Sequence, residues 1–423
     1  MAIHGWLGPI AAGWPTAALW TVGKRSKTKN HGLQEKNLLS LSYGNVVKRD
    51  IADRSGLVPE SYETYQIVEP GDVIFRFTDL QNDQRSLRSA LVDERGIMTS
   101  AYINFRPNAN IIMPSFLAYF MRATDQAKVF YEMGSGVRQT LNYEEFARLQ
   151  VPLPSLAIQR AIADYLDRET AEIDAMMADL EKMETLLTER RDATVEKLLL
   201  GGGTPELEGL PEGWTRTTLG TVFSFHNGDR GVHYPRPEEI KDEGIPFINA
   251  GDLINGSVDL EGCKRVSPEK YAQMGGAKLQ RGDILFCLRG SLGKWGLMES
   301  DGGSLASSLC ALRNERTDLV DVRYIAHAMS TRVISLQIWF NESGSAQPNL
   351  GAEQVARFRV PLPPLEEQHR IVDVIDRETA EIDDMLADIT ELRELLAERR
   401  AAVIAAAVTG QIDIPTAEEP THA

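Results

Sequence analysis

Cysteine is scarce in this chain: three residues, Cys263, Cys287 and Cys310, among 423. All three fall in the second half without C-x-x-C spacing, which argues against a disulfide framework and a cysteine-based zinc site and fits a reducing cytoplasm. Long apolar runs are missing too. The longest near the C-terminus, Ala401–Val408, has eight residues, against roughly 20 needed to span a bilayer. The apolar patch Ala17–Trp20 follows no basic leader and is preceded by Pro9 and Pro15, so no signal peptide is expected. A soluble cytoplasmic protein with no membrane partner is the expectation.

Catalytic signatures are also absent. No G-x-x-x-x-G-K-[ST] loop occurs, and Gly290 to Lys294 is too short to form one. There is no Asn/Asp-Pro-Pro-aromatic signature of an aminomethyltransferase. The seven histidines, His226, His233 and His327 among them, form no H-E-x-x-H pair. Asp229 with Glu239 and Lys241 resembles a nuclease arrangement, but such spacing arises easily where 25% of residues are charged. We expect no catalytic residues, no metal and no cofactor in this chain.

Basic residues are outnumbered 45 to 61, giving a net charge of −16, which at first disfavours a nucleic-acid partner. The distribution changes that inference. Residues 155–200 hold 6 basic and 11 acidic side chains and residues 364–414 hold 5 and 13, whereas residues 1–154 hold 17 and 15 and residues 201–363 hold 17 and 20. The acid is concentrated in two segments, and near-neutral remainders can still present a local basic face.

Those two segments are copies of each other. VPLPSLAIQ from Val151 recurs as VPLPPLEEQ from Val360, and DRETAEID from Asp167 recurs unchanged from Asp376, both at an offset of 209. Leu180 matches Ile389, Leu187 matches Leu396, and Glu189-Arg190-Arg191 matches Glu398-Arg399-Arg400. Upstream, LNYEEFARLQVP from Leu141 answers LGAEQVARFRVP from Leu350, and PGDVIF from Pro70 resembles RGDILF from Arg281. Each repeat reads as a mixed globular domain followed by one long helix. Short strand-like runs (Asp72–Phe77, Ile245–Asn249, Asp283–Leu288) lie among Gly and Asn turns.

The expected fold is therefore α+β. Residues 1–154 and 201–363 (linker included) form two tandem domains, residues 155–200 and 364–412 two long helices, and residues 413–423 a flexible tail. Pro152/Pro154 and Pro361/Pro363 stop what precedes each helix. Ser155 suits the first N-cap, Pro364 the first turn of the second helix, and Gly201–Gly203 and Gly410 the stops.

A heptad stripe runs along each helix: Leu166, Ile173, Met176, Leu180, Met183 and Leu187 in the first, and Ile375, Ile382, Met385, Ile389, Leu392, Leu396 and Val403 in the second, with Glu378 and Arg399 interrupting it. The duplication favours pairing of the two helices as an antiparallel coiled coil. Roughly 45 residues at 1.5 Å each make a rod of about 65 Å. An antiparallel pair of repeats has an approximate two-fold axis, as duplex DNA does, so two domains of different sequence would read two different half-sites at a fixed separation of at most about two turns. Leu186 and Leu395 lie on outer faces that would invite association.

Candidate DNA contacts follow from residue chemistry. Lys24, Arg25, Lys27 and Lys29 form the densest basic run, suited to phosphates from a flexible loop or equally to a solvated surface. Arg138, Gln139 and Thr140, with Ser345, Gln347 and Asn349 in the other repeat, precede the element leading to each helix; Arg reads guanine and Gln or Asn reads adenine, while a turn fixing domain to helix is the alternative. His226, Asn227 and Arg289 are further loop candidates. Tyr43, Asn45 and Asn249 should border strands.

A proline-flanked Leu and Gln leading into a long helix, twice in one chain, resembles the specificity subunit of type I restriction-modification systems. PLPPLEEQHRI from Pro361 matches well; PSLAIQRAI from Pro154 departs from it, with Ser155 for the second proline and Ile158 for the acid before Gln159. GLPEGW from Gly209 opens the second domain, as Gly13-Trp14 stands near the start of the first. The resemblance implies a non-catalytic subunit with a target recognition domain in each half, bound to double-stranded DNA, two methyltransferase subunits and restriction (translocase) subunits. S-adenosylmethionine, ATP and Mg would then belong to those partners. A coiled-coil adaptor with protein-binding ends is the alternative from another class, and a complete methylating or cleaving enzyme is a third that the missing motifs disfavour.

Overall fold

The computed structural model describes residues 7–50, 61–78, 80, 87–133, 140–229, 231–342 and 349–414. The chain forms two compact units, one drawn from residues 1–181 and 390–423, the other from residues 182–389. Each unit combines a mixed domain with a length of both long helices.

In the first unit a four-stranded antiparallel sheet runs in the order Gly23–Ser26, Ile103–Pro107, Val73–Phe75, Ser89–Leu91. Val73, Ile74, Phe75 and Phe105 are fully buried. Phe75, Phe77, Phe130 and Phe146 pack together with ring centroids 4.6 to 6.4 Å apart, Phe75 and Phe77 stacked and the other pairs tilted or edge-on. The second unit has a six-stranded sheet whose first four strands, Phe223–Asn227, Leu309–Asn314, Ile284–Cys287 and Trp295–Leu297, take the same antiparallel order. Gly256–Val258 then joins in parallel and Leu253–Ile254 completes it. The duplication thus persists in backbone topology where sequence similarity has faded.

The segment before each long helix is clipped to the start of its own domain. Gln150–Pro152 pairs with Thr16–Ala18, and Arg359–Leu362 pairs with Thr215–Thr218. Val151 and Val360 are fully buried under these clips. The first long helix, Leu156–Leu200, starts after Ser155, whose carbonyl accepts the Gln159 N–H at 2.9 Å. The second, Leu365–Val408, starts after Pro364, whose carbonyl accepts from Gln368 at 3.0 Å. Pro364 therefore stands at the cap and not inside the first turn; its extended bias fits the cap equally well. Gly410, at φ 71°, donates to Ala407 while Gln411 donates to Ala406, a left-handed closure that uses the last orphan carbonyls. Gly201 stops the first helix in the same conformation.

Lengths of the two long helices run antiparallel in each unit. In the first, Arg400 donates to Asp174 at 3.1 Å and Arg399 lies 3.5 Å from Glu169. In the second, Arg191 donates to Asp383 at 2.6 Å. Asp174/Asp383 and Arg191/Arg400 are both equivalent pairs at the repeat offset, so each unit contains the same cross-helix bridge.

The seam differs from the expected stripe in half of its positions. Leu166, Ile173, Ile375, Ile382, Ile389 and Leu396 are buried, and Leu180, Leu187 and Val403 are partly buried, as the heptad reading requires. Met176, Met183, Met385 and Leu392 are not on the seam; they are 38 to 52% exposed. The alternate seam positions fall one residue later, at Thr170, Met177, Glu184 and Arg191 and at Thr379, Leu386, Arg393 and Arg400, all buried or partly buried. Hydrophobicity chose the apolar residue at i+3, whereas the helices use the i+4 position, where the residues are mostly polar and Arg191 and Arg400 make the bridges described above.

Candidate nucleic-acid interface

Two sets of buried polar contacts hold each domain in the same pose. Gln159 is fully buried at the first turn of its helix; its Oε1 accepts the Met113 N–H at 2.8 Å, and its amide donates to Ile111 and Pro154 carbonyls at 3.2 and 2.8 Å. Gln368 repeats this: Oε1 accepts the Asp321 N–H at 2.9 Å, and the amide donates to Leu319 and Pro363, each at 2.8 Å. Met113 and Asp321 are the N-caps of the domain helices Pro114–Gln126 and Val322–Met329. Each glutamine therefore satisfies an orphan helix N–H and bolts a domain helix to a long helix.

Within each sheet a buried aspartate follows a tight-turn glycine. Asp72 accepts from Arg106 Nε and Nη2, both at 2.7 Å, and from Glu69 N–H at 3.0 Å. Asp283 accepts from Arg313 Nε at 2.9 Å, Arg313 Nη2 at 2.7 Å and Gln280 N–H at 2.9 Å. Gly71 and Gly282 have φ of 88° and 87°, a conformation that favours glycine. The fork geometry fixes the paired strands of each sheet and raises the Arg106 and Arg313 pKa through these carboxylate bonds. Sequence reasoning noted these GD turns only as weak repeats and missed Arg106, Arg313 and both glutamines' roles; the fixed offset was the available signal.

The basic run is not a flexible loop. Lys24 and Arg25 lie on the strand Gly23–Ser26, paired with Arg106 and Phe105; Ser26 at its end is buried, while Lys24 stays exposed. Arg25 sits 5.5 Å over the Tyr143 ring. Lys29 donates to the Thr64 carbonyl at 2.7 Å and to Ser100 Oγ at 2.6 Å, so its ammonium is spent within the domain. Lys24 and Lys27 remain exposed.

His226 and Asn227 belong to the edge strand Phe223–Asn227 and not to a loop. Strand pairing with Leu309–Asn314 takes them in, and His226 Nε2 lies 2.8 Å from Ser224 Oγ, which donates to Glu315 at 2.7 Å. Arg289 and Asn349 are both exposed and bridge through their backbones, next to a 2.9 Å bond from Leu350 N–H to the Leu288 carbonyl. Leu141 N–H approaches the Phe77 carbonyl in the first unit, at 3.4 Å, which puts exposed Thr140 in the corresponding place. Arg138, Gln139, Ser345 and Gln347 lie outside the described residues. Tyr43 lies in the turn after Leu39–Ser42, Asn45 begins Asn45–Lys48, and Asn249 follows Ile245–Ile248, so all three border strands. The nuclease-like trio is structural in its carboxylates: Asp229 accepts Gly231 and Gly275 N–H groups at 2.7 and 3.0 Å, and Glu239 pairs with Lys270 at 2.8 Å.

Each unit also has a cavity where the domain helix meets the long helices, of 380 Å³ in the first and 220 Å³ in the second. Their linings correspond: Ser115 to Arg323, Ala118 to Ala326, Tyr119 to His327, Arg122 to Ser330, Asp167 to Asp376 and Arg400 to Arg191. Tyr119 Oη donates to Asp167 at 2.7 Å and lies 3.2 Å from Thr170 Oγ1. His327 Nε2 lies 3.3 Å from Asp376, to which Arg323 also donates.

Comparison with known proteins agrees with this duplicated plan. The family model described as "Type I restriction modification DNA specificity domain" matches residues 88–184 and 211–392. The specificity subunit of the Escherichia coli type I restriction enzyme EcoBI is 26% identical over 318 residues, which is 71% of this chain and 64% of that subunit. The putative MjaX specificity subunit of Methanocaldococcus jannaschii is 24% identical over 321 residues, 74% of this chain and 71% of its own length. Among solved structures, a chain from a study of the complex assembly and conformational transition of the type I R-M system superimposes with a TM-score of 0.61 at 20% identity. That superposition covers 95% of this chain and 99% of the other and supports the fold. With the family model matched over both repeats and the fold shared, this chain belongs to the family of type I restriction-modification DNA specificity proteins.

Proposed function

We propose that this chain is the non-catalytic subunit that gives a type I restriction-modification complex its DNA sequence specificity, reading a bipartite asymmetric site in the cytoplasm. Residues 1–154 and 201–363 act as the two target recognition domains, and residues 155–200 and 364–412 as the helical scaffold. One observation carries the reading. The framing residues are the same in both units (Gln159/Gln368, Asp72/Asp283, Arg106/Arg313), while the exposed residues beside the corresponding backbone contacts differ, Thr140 in one and Arg289 with Asn349 in the other. A common pose with different reading groups is what two unlike half-sites need.

Arg289 suits a guanine edge and Asn349 an adenine edge, with Lys24 and Lys27 on phosphates; Thr140 can serve either base or backbone. Arg138, Gln139, Ser345 and Gln347 remain proposed contacts on their chemistry alone. Arg25, Lys29, His226 and Asn227 are weaker candidates, given their internal contacts.

The helices also support a partner that binds twice. Met176, Met183 and Leu186 are exposed, and so are their repeat equivalents Met385, Leu392 and Leu395. An apolar stripe duplicated outside the seam suits two copies of one methyltransferase subunit, with restriction subunits joining that assembly. S-adenosylmethionine, ATP and Mg serve chemistry in those partners, since this chain offers none of the corresponding motifs.

The test is DNA binding by the assembled complex across a salt series. Affinity for the recognised duplex should fall steeply with salt, and Lys24→Ala or Lys27→Ala should weaken binding to all sequences and reduce the log–log slope by about 1. Binding with no sequence preference and no salt dependence would favour the adaptor reading.

A further inference from the structure

We propose that Tyr119 and His327 are positioning residues, each latching the recognition domain of its own unit to the long helix through Asp167 or Asp376, and that only the histidine latch makes the reading of its half-site depend on pH. The inference rests on the proposed reading of two half-sites by two domains.

The two latches occupy the same place in the repeat. Tyr119 is six residues beyond the N-cap Met113 and His327 six beyond the N-cap Asp321, on helices bolted by equivalent glutamines. Their acceptors, Asp167 and Asp376, open the one eight-residue stretch that is identical in both repeats. Four of its eight positions have a role at both copies. Asp167/Asp376 take the latch, Thr170/Thr379 and Ile173/Ile382 enter the seam, and Asp174/Asp383 receive the cross-helix arginine. A recognition domain pivoting on its long helix would have to break the latch first, so the latch sets how the reading loops meet the duplex.

The two side chains respond differently to protons. Burial and the Asp167 hydrogen bond push Tyr119 up to about 12, so it keeps its proton throughout the working range. His327 is held below the usual histidine range, first by burial, with Arg191 and Arg323 adding to it and Asp376 opposing. Other charged groups lining its cavity are Asp192 from the first long helix and Glu299 beyond the strand Trp295–Leu297. A histidine depressed in the folded state is held there in its neutral form. Its contribution is complete above the unfolded value of 6.5 and is lost as pH falls through the depressed folded value. Acidification therefore places a cation beside Arg191 and Arg323 and loosens the second latch alone.

The experiment uses the complete complex with its methyltransferase partners. Affinity is measured for the recognised duplex and for duplexes carrying one substituted base pair in either half-site, from pH 5.5 to 8. Comparing two half-sites in one complex cancels any pH response of the partners. In the wild type, discrimination at the half-site read by the second unit should drop toward pH 5.5 by more than at the other, where Asp125, raised to about 6 by burial, is the group that titrates. His327→Tyr, which installs the side chain of the sister unit, should keep discrimination and abolish the excess, and Tyr119→His should deepen the drop at the other half-site. Equal pH responses at both half-sites of the wild type, or an excess that survives in His327→Tyr, would overturn the proposal. A complex with no sequence preference at any pH would instead contradict the underlying reading.

Discussion

Gln368→Ala destabilises the second unit by about 2–4 kcal/mol, the cost expected when buried polar partners lose their hydrogen bonds together. The substitution leaves the Asp321 N–H and the Leu319 and Pro363 carbonyls without this side chain, at a fully buried site. No rearrangement of the alanine can replace them, because its methyl group neither donates nor accepts a hydrogen bond. Gln159→Ala should cost a similar amount in the first unit, since Met113, Ile111 and Pro154 lose the same three bonds. Amide hydrogen exchange reads this locally: the Asp321 amide should exchange faster in Gln368→Ala, and the Met113 amide should not. Unchanged protection at Asp321 would show that the glutamine is not the bolt described.

Ile382→Ala and Met385→Ala should differ by several-fold in cost, although both were assigned to one apolar stripe by pattern. Ile382 is 3% exposed on the seam, so truncation creates a cavity between the helices and costs about 2–4 kcal/mol. Met385 is 38% exposed and lies one residue before the seam position Leu386, so truncation should cost less than about 1 kcal/mol. Urea denaturation of the two variants decides it. Equal midpoints would mean that the seam passes through Met385 after all. The repeat supplies an internal control: Ile173→Ala against Met176→Ala should show the same contrast.

What the sequence made legible was what the duplication repeats. Long helices with proline entries and glycine exits follow from local chemistry; the first runs over Leu156–Leu200 where 155–200 was expected, whereas the second, expected over 364–412, ends at Val408 ahead of Gly410. The seam was half legible, because a polar residue such as Thr379 or Arg400 on a coiled-coil face is invisible to an apolar pattern. Sheet order was not legible: Val73–Phe75 and Ile284–Cys287 are central strands whose neighbours come from far along the chain, Ile103–Pro107 and Leu309–Asn314. Nor could spacing reveal that Lys29 would be taken up by Thr64 and Ser100, or that the basic run would be pulled into a strand by its pairing with Ile103–Pro107. The proposed reading groups are the least legible part of all, since Arg289 and Asn349 meet only once the sheet and the helix entry have formed.

The most direct measurement of the central claim is methylation mapping at single-base resolution in cells that express this chain with its methyltransferase subunit, against cells that lack only this chain. The account predicts one asymmetric bipartite motif, two unlike half-sites about an unread gap, present with the chain and gone without it. An unchanged methylome from a complex shown to assemble would contradict it.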